Sequence, residues 1–69
     1  MIPRWQDSPS WAKWLAQDKS GEWFWFESEP IAHRTFERWN TGPGPSRCEW
    51  ARKTPLLGDW TKSKRRYPK

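Results

Sequence analysis

Two pairs of side chains in this sequence are of types that could perform catalysis. Cys48 and His33 are the only cysteine and the only histidine, and a thiol beside an imidazole forms a nucleophile and base pair. No third residue that would orient the imidazole is indicated, and Cys48 lies in an irregular stretch rich in Pro and Arg. Glu27 and Glu29 would share one strand face, but a 69-residue chain has no cleft for the sugar that paired carboxylates hydrolyse. We therefore predict that the chain is not an enzyme and that both glutamates discourage pairing at a sheet edge.

The same residue counts exclude covalent and metal cross-links. One Cys and one His form neither an intramolecular disulfide nor a four-ligand zinc site, so we predict no metal and no cofactor. A chain this short makes one domain, and its stability must come from packing of its 8 Trp, 3 Phe and 1 Tyr. No apolar stretch has the length of a signal peptide or of a membrane span. We expect a soluble monomer in the cytoplasm.

Positive charge is concentrated in the C-terminal part of the chain. Residues 1–40 contain five Lys or Arg against six Asp or Glu, whereas residues 41–69 contain eight against two. Such a segment attracts phosphate or an acidic surface, or only keeps the protein in solution. Nucleic-acid binding, non-specific and salt-sensitive, is therefore the alternative function that we predict. The residues predicted for it are Lys62, Lys64, Arg65, Arg66 and Lys69.

Protein binding is the function that we favour from the sequence. Eight Trp are more than a core of this size readily hides, and exposed Trp and Arg dominate binding hot spots. We expect Trp50, Trp60 and one face of a hairpin to be exposed. Base stacking on that hairpin is disfavoured, because Glu22, Glu27 and Glu29 would repel a phosphate backbone. The predicted protein-binding residues are Trp23, Trp25, Arg38, Trp50, Arg52 and Trp60.

A β-hairpin is the clearest local structure in the sequence. Apolar runs flank Asp18-Lys-Ser-Gly21, in which Asp and Ser can bond their own backbone and Gly tolerates a positive φ. Alternation in the second run places Trp23 and Trp25 on one face and Phe24 and Phe26 on the other. A strand that is apolar on both faces needs a cover on each. The candidates are the segment with Trp5 and Trp11, the Leu56-Leu57 pair with Trp50 and Trp60, or a partner molecule.

Residues 30–39 admit two interpretations. As a strand, residues 35–39 would complete a three-stranded meander with strands over about 11–17 and 22–28. As a helix, Pro30 would suit the first turn and Gly42 would follow the end. We favour the strand, because a lone hairpin is marginal in water. The predicted fold is thus small and mainly β, an antiparallel hairpin or meander, with a hairpin plus one short helix at 30–39 as the alternative.

Glycine and proline mark the end of the predicted compact part. The sequence Thr-Gly-Pro-Gly-Pro over residues 41–45 cannot continue a regular element. We predict a compact aromatic β domain over residues 1–42 and an irregular, extended basic segment over residues 43–69. That segment would be partly held by Trp50 and Trp60 and flexible after about residue 61.

Two resemblances follow from these residues. Residues 5–12, 15–23 and 26–27 together with Pro30 resemble small uncharacterised accessory proteins of bacteriophages and prophages. That resemblance implies a bacterial or viral setting without a shared biochemical activity, and we predict that the partner is an unidentified host protein.

The spacing of aromatic residues also resembles the shape of WW domains, which are three-stranded meanders that bind proline-rich peptides. Trp14, the Trp23-Phe24 pair and Trp39 occupy the corresponding places. The spacing from Trp14 to Trp39 is longer than in that family, and the Asn-His that normally follows the aromatic pair is absent. The resemblance therefore implies a shape only.

Overall fold

The fold consists of short antiparallel strands in two sheets. The computed structural model describes residues 2–42, 44–56 and 58–68. The strands are β1 (Trp14–Gln17), β2 (Glu22–Phe26), β3 (Ile31–His33), β4 (Arg38–Asn40), β5 (Cys48–Lys53) and β6 (Arg65–Arg66). One sheet has the order β5-β2-β1-β6, and β3 and β4 form a separate two-stranded sheet. Two turns of 3₁₀ helix complete the described elements, Trp5–Asp7 and Trp60–Lys62. The predicted small, mainly β fold is confirmed.

The predicted hairpin is β1 and β2, which pair with Leu15 opposite Trp25. Its turn closes through a hydrogen bond from the Gly21 amide to the Asp18 carbonyl at 2.9 Å. Gly21 has a φ of 96°, and a Cβ there would lie 2.5 Å from the Thr54 carbonyl oxygen. Glycine is therefore required both by the backbone conformation and by the close approach of the segment that follows β5.

Both faces of β2 are covered by other parts of the chain, as its pattern requires. Trp23 and Trp25 pack with Leu15 and Ala12, and the N-terminal Trp5 and Trp11 lie against this cluster. On the other face, Phe26 packs in a second cluster. The other members of that cluster are Ala16, Trp39 and Trp60, with Trp14, Phe24, Ala32 and Leu56 against it. Leu57, which was a candidate cover, lies outside the described residues.

The prediction of a third meander strand over residues 35–39 is wrong in both the position of the strand and its pairing partner. Residues 35–37 form part of a turn, and β4 pairs with β3 instead of extending the main sheet. The alternative helix at 30–39 is also absent, because Ile31 and Asn40 are opposite each other in this second hairpin. The physical reason is that this second hairpin folds back over β1 and buries Trp39 against Ala16 and Phe26.

The boundary predicted after residue 42 is wrong as well. The segment predicted to be irregular supplies β5 beside β2 and β6 beside β1, so it forms both edges of the main sheet. The physical reason is that β1 bonds to the backbone groups on one side of β2 only, so the N–H and C=O groups on the other side need a second strand as partner. A register shift between Trp23 and Phe24 leaves Ala51 as the extra residue of a β-bulge in β5. Within the described residues, no helix is long and apolar enough to cross a membrane.

Candidate binding surface

Three of the tryptophans predicted to bind a partner are part of the core. Trp23, Trp25 and Trp60 are 4%, 3% and 9% exposed, so the predicted exposure of Trp60 and of the Trp23 and Trp25 face is wrong. The Trp23 indole Nε1 donates to Thr54 Oγ1 at 2.8 Å. Trp60 packs edge to face on Trp39, with ring centroids 5.9 Å apart. Because these three indoles pack in the core, a partner cannot contact them.

Trp50 is the predicted binding residue that the structure leaves open. Trp50 is 53% exposed, and the other seven tryptophans are all less exposed. In the register of β2 and β5, Trp50 lies directly opposite Phe24, which is half-buried. Directly opposite residues point to the same side of a sheet. Trp50 and Phe24 therefore form an adjacent aromatic pair on the face that the second hairpin only partly covers.

A groove of about 290 Å³ lies beside this pair, between β4 and β5. Phe24 and Phe26 form its floor, Arg38 and Trp39 line one side, and Cys48 lines the other. Phe26 is almost fully buried beneath it, whereas the ring of Phe24 is half-buried. We use the name groove surface for Phe24, Arg38, Cys48 and Trp50. It combines an apolar floor, an exposed indole and a guanidinium.

The turn of the first hairpin positions the wall formed by β4. Asp18 Oδ1 accepts the Trp39 amide at 2.8 Å, and Glu37 Oε2 accepts Lys19 Nζ at 2.6 Å. Burial raises the pKa of the Asp18 carboxyl, and the charge of Glu22 adds to this. The Trp39 hydrogen bond and the charge of Arg38 oppose that rise in pKa. Asp18 is therefore a structural link between the two hairpins that also lines the groove.

Of the two arginines predicted to bind protein, Arg38 lines the groove and Arg52 does not. Arg38 is exposed, lines the groove and places its Cζ 5.5 Å from the centre of the Phe36 ring. Arg52 is exposed at the far end of β5, opposite Trp23 in the register. Of the six residues predicted to bind protein, the structure brings Arg38 and Trp50 to the groove surface and keeps Arg52 on the adjoining strand.

Phe24 and Cys48 line the groove but are not among the residues predicted from the sequence to bind a partner. The alternation in β2 already placed Phe24 on the face opposite Trp23, and this was the signal that could have found it. Cys48 could not be found, because β5 was not predicted and its pairing with Phe26 was therefore unknown.

The four described residues of the predicted basic set are divided between two places in the structure. Lys64 Nζ bonds Glu29 at 2.7 Å and lies 5.6 Å from the centre of the Trp14 ring. Arg66 also lies over Trp14, at 5.8 Å. Two of the predicted nucleic-acid contacts therefore stabilise an aromatic side chain of the fold. Lys69 lies outside the described residues.

Lys62 and Arg65 line a second cavity of about 300 Å³, together with Gln17, Trp23 and Thr54. Asp59, which also lines it, accepts the hydroxyl and the amide of Thr61, and these hydrogen bonds lower the pKa of its carboxyl. This cavity places two cations beside a buried polar network and an exposed carboxylate.

The residues considered for catalysis are engaged in local structure. His33 Nδ1 accepts the Phe36 amide at 3.4 Å, and the two rings stack with centroids 4.6 Å apart. Glu27 and Glu29 each form an ion pair with a different cation, Arg47 and Lys64. Among residues 2–42, 44–56 and 58–68, no three His, Cys, Asp or Glu side chains are grouped as metal ligands would be.

Comparison of the chain with protein-family models, curated proteins and solved structures gives no match, so a function must be argued from the groove surface itself.

Proposed function

We propose that this chain is a non-enzymatic binding domain that engages another protein through the groove surface. The observation that carries the proposal is the exposure of Trp50 beside Phe24 and the groove, in a molecule that buries its other large indoles or packs them at the core. Trp and Arg are among the residue types most enriched in binding hot spots. Here Arg38 lines the groove, and Trp50 lies opposite Phe24 of its floor.

The Trp50 ring is not needed for packing of the core. Each face of β2 already has a cluster of tryptophans, so the core is complete without the Trp50 ring. An exposed indole on an edge strand increases the tendency to aggregate, and natural proteins usually place charges there instead. An exposed ring at this position is therefore best explained by contact with a partner.

A protein of a bacterial host cell is the first partner to test. This part of the proposal comes from the resemblance of residues 5–12 and 15–23 to phage and prophage accessory proteins, and it places the interaction in the bacterial cytoplasm. No mode of action comes with that resemblance, so the support for a protein partner is the apolar and cationic character of the groove surface.

The test is quantitative capture from a nuclease-treated bacterial lysate with the full chain as bait. We expect one protein to be captured by the unaltered chain and to be reduced at least about tenfold by Trp50→Ala, since hot-spot truncations cost more than about 1.4 kcal/mol. Ile31→Ala is the matched control, because Ile31 is also exposed but lies on β3 outside the groove surface. Equal capture by Trp50→Ala and the unaltered chain would contradict the proposal.

Nucleic-acid binding is the second candidate function, favoured by the two cations Lys62 and Arg65 that line the second cavity. It predicts quenching of Trp fluorescence by random single-stranded DNA that weakens as salt is raised. Lys62→Ala combined with Arg65→Ala would then reduce the quenching, whereas Trp50→Ala would not. Absence of any salt-dependent quenching removes this candidate.

A further inference from the structure

The outer edge of β5 is open along its backbone within the part of the chain that the structure describes. The main sheet pairs β5 with β2 alone. The Glu27 amide donates to the Arg47 carbonyl at 2.9 Å, so the backbone of Arg47 faces β2. Antiparallel bonding alternates from one residue to the next. Glu49 therefore faces β2 like Arg47, and Cys48 and Trp50 direct their N–H and C=O groups away from the sheet.

The other strand edges offer much less backbone. β6 has two residues and β3 has three, and short edges of this kind resist pairing. The outer edge of β4 is engaged by the first hairpin, because Asp18 accepts the Trp39 amide and the Lys19 amide donates to the Glu37 carbonyl at 3.2 Å. β5, with six residues, is therefore the edge best suited to receive another strand.

The charges around β5 indicate the composition of the segment that would pair with it. Arg47 precedes β5, and Arg52 and Lys53 end it, all three exposed. Arg38 adds a fourth cation across the groove, while Glu49 is the one acidic residue of β5. Glu27 pairs with Arg47 and Asp18 also lines the groove, but Arg38, Arg52 and Lys53 form no ion pair among the described residues. The edge therefore keeps an excess of positive charge, and acidic side chains are its electrostatic complement.

We propose that an extended acidic segment of the partner protein adds to the main sheet as a strand beside β5. This inference rests on the proposed function and specifies the kind of partner. The added segment bonds to the outward backbone groups of Cys48 and Trp50, and every second side chain lies over the groove surface. Acidic residues among the others meet the cations that flank β5. Backbone bonds supply affinity, and the groove supplies selection among segments.

A matched pair of variants tests the backbone contact. Cys48→Pro removes the outward N–H, and proline is tolerated on an edge strand where the N–H faces away from the sheet. Cys48→Ala removes the same side chain and keeps the N–H. The probe is a synthetic peptide of alternating valine and aspartate, about nine residues long so that it extends beyond a strand of ordinary length. Binding is measured by calorimetry and by the amide signals of the labelled full chain.

We expect the peptide to shift the amide signals of Cys48 and Trp50 in the unaltered chain. Its affinity for Cys48→Ala is the reference, because that variant lacks the thiol at the groove but keeps the N–H. Binding to Cys48→Pro should be about fivefold weaker, the effect of one lost hydrogen bond. Replacing the aspartates of the peptide by lysines should abolish binding. Equal affinity of Cys48→Pro and Cys48→Ala would overturn the proposal.

A second measurement covers the case in which Cys48→Pro does not fold. The same peptide, methylated on alternate amide nitrogens, is titrated into the unaltered chain. Loss of binding supports strand addition; undiminished binding overturns it. Concentration-dependent shifts of the Cys48 and Trp50 amides without peptide would also overturn it, since the edge would then pair with a second copy of the chain. The lysate capture with Trp50→Ala tests the proposed function separately, because it does not depend on backbone pairing.

Discussion

The indole Nε1 of Trp39 donates a hydrogen bond of 2.9 Å to the main-chain carbonyl of Gln17. This bond joins the second hairpin to the end of β1, and the Trp39 ring fills the cluster beneath it with Ala16 and Phe26. The same residue lines the groove between β4 and β5. Packing of one core tryptophan therefore determines the position of the wall that carries Arg38.

Shortening the Trp39 side chain should destabilise the domain in proportion to what is removed. We expect Trp39→Phe to lower the free energy of unfolding by about 1–2 kcal/mol and Trp39→Ala by about 3–5 kcal/mol. The second value is a large part of the stability of a small domain. Urea titration followed by circular dichroism measures both. Trp50→Ala is the control, and its effect should stay within about 1 kcal/mol, because the ring is about half exposed and its cross-strand pairing with Phe24 contributes roughly that much. An equal loss in both alanine variants would contradict this assignment.

Thr54 connects β2 to β1 through a buried polar network. Its hydroxyl accepts the Trp23 indole N–H at 2.8 Å and the Gln17 side-chain amide at 3.2 Å. Thr54→Val keeps the shape but leaves buried donors without this acceptor, so we expect a loss of about 1–3 kcal/mol. Thr54→Ser keeps the hydroxyl and should lose much less. The unfolding midpoints of the two variants compare them directly, and a valine variant as stable as serine would refute the role of the hydroxyl.

Gly21 is expected to tolerate no side chain. Gly21→Ala adds a Cβ that would lie 2.5 Å from the Thr54 carbonyl, at a backbone φ of 96°. Strain and displacement of that segment should together cost about 2 kcal/mol or more. Gly44→Ala is a matched control, since its φ is 90° but no atom lies within 4 Å of an added Cβ. Thermal unfolding should separate the two variants, and equal midpoints would show that the contact with Thr54 is unimportant.

The raised pKa of the Asp18 carboxyl predicts how the stability of the domain depends on pH. This pKa is raised in the folded state, mainly by burial. The folded state therefore binds the proton more tightly, so this contribution to stability is complete below about pH 3.9, the ordinary value for aspartate, and is lost as pH rises through the folded pKa. Asp18→Asn keeps an acceptor for the Trp39 amide and should remove that part of the pH dependence. Asp18→Ala loses the acceptor and should be destabilised by about 1–2 kcal/mol at neutral pH. Unfolding curves from pH 3 to 7 test this, and an unchanged slope in Asp18→Asn would contradict it.

The local part of the fold could be predicted from the sequence. The turn over Asp18 to Gly21 and the alternation of Trp23 and Phe24 depend on neighbouring residues, and the structure confirms both. The N-terminal tryptophans were also among the predicted covers for one face. These predictions hold because turn chemistry and strand periodicity operate over a few residues.

The long-range part could not be predicted. β5 pairs with β2 across more than twenty intervening residues, and its composition of charged and small residues resembles an irregular segment. Trp60 was expected at the surface because a sequence does not show which indoles meet in space. Its burial depends on the second hairpin, whose pairing was itself missed. Trp50 was correctly expected to be exposed, but its neighbour Phe24 follows only from the register of β5.

Hydrogen exchange of the full chain, free and bound to the protein that it captures, tests the groove surface most directly. Amides of Cys48 and Trp50 should become protected in the complex, while those of Glu49 and Trp39, already bonded to β2 and to Asp18, change little. Protection confined to the basic residues from Lys62 to Arg66, with Cys48 and Trp50 unchanged, would contradict the assignment.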